Sequence, residues 1–237
     1  MATWIGTGAA DPNDDIKVGD HKVGIGTTSP GDSLEIKGNL ATIPSADAYP
    51  TLQILDYTHD NVSINFDSYY RSGWKSSDSG SNFRIYKVGD SLRFSYASGV
   101  SQGSTISNWA SEDTNCAMVI NTSSQVGIGT TDSKSKLHVN GSISLPIVTK
   151  TSDYTASDND FVIRCNCNSG NMTITLQKVD TCPGRVYILK KVYYSNTVSI
   201  SVAAGDSISD GVYALFETQT KMFLSDGSTT WHVIFSQ

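Results

Sequence analysis

The hexapeptide Val-Gly-Ile-Gly-Thr-Thr occurs twice in this chain, at residues 23–28 and 126–131, and the residues after it stay in register. Residues 23–40 read VGIGTTSPGDSLEIKGNL and residues 126–143 read VGIGTTDSKSKLHVNGSI, a constant offset of 103 without a gap. Leu34 matches Leu137, Ile36 matches Val139, Gly38 matches Gly141 and Leu40 matches Ile143. An internal repeat of this kind constrains the fold before any other feature does. In V-G-I-G the aliphatic residues alternate with glycine at period two. A strand therefore carries Val and Ile on one face and bare backbone on the other. Glycine weakens a strand interior and often marks the close approach of another backbone. The expectation is that neighbouring copies of the chain supply that approach around a shared axis. Val23, Gly24, Ile25, Gly26, Val126, Gly127, Ile128 and Gly129 are then axis or interface residues. Thr-Thr-Ser-Pro turns the first copy, with Pro30 fixing φ. Leu34-Glu35-Ile36 and Leu137-His138-Val139 read as short alternating strands, each closing on a Gly preceded by Lys37 or Asn140.

The same glycines invite comparison with a phosphate-binding loop, and the sequence fails that test. There is no G-x-G-x-x-G, no following Lys and no amphipathic helix behind the motif. A formal net charge of −6 without a run of Lys and Arg lacks the footprint that neutralises phosphates, so no nucleic-acid partner is expected. No stretch of 18 apolar residues predicts membrane insertion. The first residues, Met1-Ala2-Thr3-Trp4-Ile5-Gly6, lack the basic head and apolar run of a secretory signal. Only 17% of residues are charged, and Val, Ile, Thr and Tyr are plentiful, which favours sheet over disorder.

Five segments follow. Residues 1–22 form a leader with a turn cluster at Asp11-Pro12-Asn13-Asp14-Asp15, read as an anchor or a flexible tail, with strand-like residues at Ile16-Lys17-Val18. Residues 23–40 are the first repeat copy and residues 126–143 the second. Between them, residues 41–125 form a first β-domain. Its strands are predicted at 51–56, 62–66, 82–86, 91–96 and 117–120, with a hairpin at Lys87-Val88-Gly89-Asp90. Residues 144–237 form a second, with strands at 160–165, 172–176, 185–190, 198–202, 212–216, 221–224 and 231–235 and a hairpin turn at Ser225-Asp226-Gly227. Spacing of roughly ten residues suits sandwiches or jelly rolls. No amphipathic helix of ten residues is evident.

Catalytic chemistry finds no foothold. His21, His59, His138 and His232 form no H-x-x-x-H or H-E-x-x-H, and no G-x-S-x-G is present. Paired carboxylates for a glycan depolymerase are the serious rival, but Asp14-Asp15, Glu112-Asp113 and Asp158-Asn159-Asp160 sit in turns. The reading is no enzyme, no catalytic residue and no cofactor. Cys116, Cys165, Cys167 and Cys182 match no common zinc spacing, so no metal is expected. Carbohydrate contact is a further reading. Tyr69-Tyr70 and Trp74 crowd one loop-like stretch, and Tyr193-Tyr194 forms a second pair. Adjacent tyrosines in a strand face opposite ways, so one of each pair is core and the other covers an interface between subunits or contacts a receptor. Trp109 and Trp231 read as core or interface anchors.

The segment Val126–Thr131 followed by Lys136-Leu137-His138-Val139-Asn140-Gly141 resembles a VGIGTTSP…KLHVxG repeat of phage tail-fibre and related virion fibre-like proteins. The first copy departs from it at Ser33-Leu34-Glu35-Ile36-Lys37-Gly38 but keeps the apolar pattern. Residues 144–237 also resemble a C-terminal module of such fibres, through Thr173-Ile174-Thr175-Leu176, Gly184-Arg185-Val186-Tyr187-Ile188 and Asp226-Gly227…Trp231. Many of these proteins end in a self-cleaving chaperone domain, and no segment here resembles one. The resemblance implies repeats in trimeric shafts or links. The expectation is thus an all-β chain: two β-sandwich or jelly-roll-like domains joined by short Gly-rich repeat strands and intertwined in a homotrimer. It implies a virion structural protein assembled in the host cytoplasm, either a tail fibre that binds a receptor or a head fibre decorating the capsid. Its partners are itself, other virion proteins through the N-terminus, and host surface glycan. A free carbohydrate-binding module is the alternative from another class.

Overall fold

The computed structural model describes residues 3–5, 16–19, 22–27, 29–43, 48–109, 115–211 and 213–237. The regular structure of the described residues is nearly all strand, with three short 3-10 turns the only helical turns among them. Among the described residues no helix is long and apolar enough to cross a membrane. Two compact units divide it, Met1–Ser142 and Ile143–Gln237. The anchor expected of residues 1–22 falls largely outside the described residues, as do His21, Glu112-Asp113 and the start of the strand expected at 212–216.

In the first unit, eight strands form one sheet in the order Leu137–Val139, Val126–Ile128, Cys116–Asn121, Ser91–Val100, Gly80–Val88, Asn61–Phe66, Leu52–Thr58, Leu40–Thr42. All neighbours are antiparallel except the parallel pair Val126–Ile128 and Leu137–Val139. The predicted hairpin forms, with Val88 paired to Ser91 across Gly89-Asp90 and Gly89 at φ 49. That left-handed value is why glycine occupies the two-residue turn. Two insertions lie over one face of the sheet. One is the small hairpin Ser68–Tyr70/Trp74–Ser76; the other is the segment that ends in the 3-10 turn Ser107–Trp109. Ile106 N–H donates to Trp74 O at 2.9 Å, and Lys75 bridges Thr105, so the second insertion is tied to the first. A smaller four-stranded sheet holds the first repeat: Thr3–Ile5, Ile16–Gly19, Lys22–Ile25 and Leu34–Ile36.

The sequence leads one to expect a sandwich or jelly roll here. The first unit instead covers one face of its eight-stranded layer with the two-stranded sheet Ser68–Tyr70/Trp74–Ser76 and with loops. Period-two alternation identifies strands but carries no information on which sheet receives them.

The second unit does pack two sheets around one core. A six-stranded sheet runs Ile147–Lys150, Val162–Cys165, Val186–Lys191, Thr220–Ser225, Thr230–Ser236, Ser207–Ile208, and a four-stranded one runs Tyr154–Thr155, Met172–Thr175, Val198–Ser201, Ala214–Leu215. Ile163, Tyr187, Leu189, Phe223 and Trp231 from the first meet Met172, Ile174, Val198, Ile200 and Leu215 from the second in a fully buried cluster. The order departs from a jelly roll. The chain enters the two sheets alternately, and the first three strands of each run parallel to their neighbours. Only the later strands form the antiparallel hairpin in which Ser225 pairs with Trp231. A strand every ten residues suits hairpins and such a coil equally, so spacing did not separate them. Polar ends inside the core are satisfied: Trp231 Nε1 donates to Gln177 O at 3.1 Å and Tyr187 hydroxyl to Ser157 O at 3.0 Å.

Candidate functional site

The eight-stranded sheet turns its polar side inward. On the face under the insertions, cross-strand rows run Gln53–Asn65–Arg84–Ser95 and Leu55–Ser63–Tyr86–Arg93–Val119–Gly127. Gln53, Ser63, Asn65, Arg84 and Ser95 are all buried there. Several of their groups are used internally, while Asn65 Oδ1 and Ser95 Oγ find no hydrogen-bond partner among the described residues. Asn65 Nδ2 donates to Gln53 O at 3.1 Å, Tyr70 N–H donates to Gln53 Oε1 at 2.7 Å, and the Arg84 guanidinium stacks on Tyr86, Trp109 and Trp74 at 4.3, 4.7 and 5.2 Å.

The opposite face carries an apolar band from one edge to the other, with Lys87 and Asp56 at its border on the row that also holds Leu92 and Val62. One unbroken row crosses all eight strands: Leu40, Ile54, Ile64, Ile85, Phe94, Met118, Ile128, Val139. A second row carries Leu52, Phe66, Phe83 and Tyr96, and a third carries Leu92, Ile120, Val126 and Leu137. Ten of these residues are exposed by 36% or more, up to 60% at Leu137. At about 180 Å² per large side chain, they leave roughly 800 Å² of apolar surface open. Monomers rarely leave more than a few hundred Å² contiguous, and a standard interface takes about 800 Å² per partner. Apolar residues outside and Arg, Asn and Gln inside reverse the usual burial preference.

Both repeat copies build the same local unit. Val23–Ile25 pairs in parallel with Leu34–Ile36, and Val126–Ile128 with Leu137–Val139. Val23 N–H donates to Ser33 O and Lys37 N–H to Ile25 O; Val126 N–H donates to Lys136 O and Asn140 N–H to Ile128 O. The likeness extends upstream, where the sequences no longer agree. Lys17 pairs with Gly24 as Val119 pairs with Gly127. It also covers a position at which the two copies differ, Glu35 in the first and His138 in the second. Glu35 Oε2 accepts Gly31 N–H at 2.6 Å, and His138 Nδ1 accepts Lys134 N–H at 3.3 Å, so two different side chains hold the same loop amide.

The expected face is found for the hexapeptide: Val126 and Ile128 lie in the apolar rows and Gly127 on the covered side. The reason for glycine is different from the one expected. A Cβ on Gly24 would stand 2.6 Å from Thr27 O, and one on Gly127 would stand 2.6 Å from Thr130 O and 2.5 Å from Ser133 Oγ. The close approach comes from the chain's own turn, with no second copy required. Gly26 and Gly129 answer a separate demand, with φ values of 69° and 68°.

The aromatic candidates separate. Tyr69 is 5% exposed, stacked on Tyr49 at 5.9 Å, and has no open face for a ligand. Tyr70 points the other way, edge-on to Trp74 at 5.3 Å. Together they line a cavity of about 160 Å³ with Leu55, Tyr57, Asn61 and Tyr86, and Tyr57 at its rim is 69% exposed. Neither Tyr57 nor Tyr86 stands out in the sequence; only strand register brings them beside Trp74. Tyr193 and Tyr194 lie in the loop before Val198–Ser201, both exposed, rather than back to back in a strand. Trp109 is a core residue, and so is Trp231.

All four thiols are free and buried. Burial, then the Cys167 thiol beside it, pushes Cys165 up to about 12. Asp226 is held below the usual carboxylate range chiefly by backbone N–H groups of Thr230 and Ser228, with His232 3.7 Å away. Among the described residues no three His, Cys, Asp or Glu side chains converge as metal ligands would. No protein-family model matches the chain, and no curated protein matches it.

Proposed function

We propose that this chain is a non-enzymatic, fibre-type structural protein of a virus particle that assembles as a homotrimer and serves host attachment or particle decoration. The observation that carries the reading is the apolar face of the eight-stranded sheet. Roughly 800 Å² of aliphatic and aromatic surface costs about 20 kcal/mol to leave in water, at ~25 cal/mol per Å². Packing copies face to face removes that cost. Ile128 and Val126 lie in the same rows, so this surface takes over the interface role that the glycines were first expected to play. Two copies would bury the rows as well as three; the number three follows from the repeat's resemblance to trimeric fibre segments. The virion assignment rests on that resemblance, in the hexapeptide and in the C-terminal unit.

Light scattering on the purified chain tests the assembly: a mass three times the 25.5 kDa of one chain is expected. A monomer at micromolar concentration overturns it. Imaging particles with the chain labelled tests the location, and separates tail fibre from head fibre. A second reading, carbohydrate binding, is favoured by the cavity walled by Tyr57, Tyr70, Trp74 and Tyr86. Aromatic faces beside a polar group such as Asn61 suit a sugar ring. Glycan-array binding lost in Trp74→Ala supports it. Release of reducing ends from a surface polysaccharide would instead establish a depolymerase.

A further inference from the structure

Two lysines point into the core of the second unit, and only one of them is accounted for. Along Val186–Lys191 the inward residues are Tyr187, Leu189 and Lys191; along Thr220–Ser225 they are Lys221, Phe223 and Ser225. Leu189 pairs with Lys221, so the two lysines are close neighbours in the same sheet. Lys191 is 1% exposed, and its ammonium donates to Asn196 O at 2.7 Å and Tyr194 O at 3.3 Å. Lys221 is 6% exposed, and among the described residues its ammonium makes no hydrogen bond or ion pair. Its Nζ is not sealed from solvent, so the ammonium stays wet on the cavity side while lacking a protein partner, and a ligand anion placed there would meet an unspent charge. Burial pulls its ammonium below the ordinary lysine range, with no carboxylate opposing the shift. Lys221 lines a cavity of about 380 Å³ with Gly211, Tyr213, Ala214 and Phe216, and both aromatic residues are largely exposed at its mouth.

We propose that this cavity binds an acidic sugar, its carboxylate paired with Lys221 and its ring laid against Tyr213 and Phe216. The charge of the ligand follows from the unpaired cation. The ring follows from the two aromatic walls, which offer nothing to a small inorganic anion. A phosphate group is disfavoured because a single ammonium, without an Arg fork or a nest of backbone N–H groups, leaves most of its oxygens unmet. The site deepens the host-attachment reading, on which its biological use rests; the binding chemistry stands without it.

The test is an NMR titration of the full chain, following the Lys221 ε-methylene signal with glucuronate, N-acetylneuraminate, glucose and acetate. With millimolar affinity, a saturable shift is expected below about 10 mM for at least one of the two acidic sugars, and none for glucose. Acetate, lacking the ring, binds at least tenfold more weakly. Lys221→Met abolishes the acidic-sugar response, and Tyr213→Ala with Phe216→Ala reduces it to the level of acetate. Should either variant fail to fold, the comparison of the four ligands on the native chain still decides. Equal responses to acetate and both acidic sugars overturn the sugar assignment. No saturable response to either acidic sugar, or one that survives Lys221→Met, overturns the site. Acidic-sugar binding by a chain absent from the particle refutes the virion reading and leaves this one standing.

Discussion

Phe83→Glu separates the stability of one chain from the stability of its assembly. Phe83 lies in the middle of the apolar face, paired with Phe66 and Tyr96, and is 53% exposed in a single chain. Within one copy the change removes two cross-strand aromatic contacts, each worth about 0.2–1 kcal/mol, so the fold is retained. Between copies the stakes are larger. Half of a phenylalanine's roughly 200 Å² is about 100 Å², worth about 2.5 kcal/mol at ~25 cal/mol per Å². Three copies lose about 7.5 kcal/mol, a more than 10⁵-fold weaker trimer at 1.4 kcal/mol per decade, before the cost of burying three carboxylates. Light scattering over a dilution series should give trimer for the native chain and monomer for the variant at micromolar concentration, with unchanged far-UV circular dichroism. A variant that remains trimeric, or that loses its β signal along with its mass, refutes the reasoning.

Gly127→Ala should destabilise the first unit by about 2–3 kcal/mol through overpacking against Thr130 O and Ser133 Oγ. Gly24→Ala, whose Cβ meets only one atom closer than 3.0 Å, should cost less, with urea midpoints as the measure. His138→Glu, which reproduces the Glu35 contact, should be tolerated, whereas His138→Leu should lose about 1 kcal/mol with the loop amide left to water. The four buried thiols should be silent toward a thiol-specific dye at pH 8 in the native chain, and all four should react in denaturant; fast native labelling of Cys165 would contradict its raised pKa. Asp226 has a folded pKa below its unfolded 3.8, so its contribution is complete above 3.8 and is lost as pH falls through the folded value. The melting-temperature gap between the native chain and Asp226→Ala should therefore close in acid below about 3.8; a gap that widens there would reverse the sign.

Local pattern carried the strands well. The alternation in Met172-Thr173-Ile174-Thr175-Leu176 places Met172, Ile174 and Leu176 in the core, and Gly89-Asp90 makes the predicted turn. What stayed hidden depends on register between distant strands. Nothing near Arg84 announces three aromatic rings around its guanidinium, because Trp74, Tyr86 and Trp109 reach it from three different segments. Tyr57 becomes part of a cleft only when Leu55 and Ser63 are set opposite one another. Lys221 reads from sequence as one polar residue before Met222-Phe223-Leu224; its inward direction follows from the pairing with Leu189. Glycine in V-G-I-G was recognised as a sign of crowding, but sequence could not say whose backbone did the crowding.

The eight-stranded sheet ends in Leu40–Thr42 on one side and Leu137–Val139 on the other, three residues each. Short borders give an incoming chain few free amides to zip onto. Sideways stacking, which has no natural stopping point, is therefore starved of footholds, while the greasy broad side can be satisfied once and for all. A molecule arranged this way is steered toward small finite clusters and away from endless ribbons.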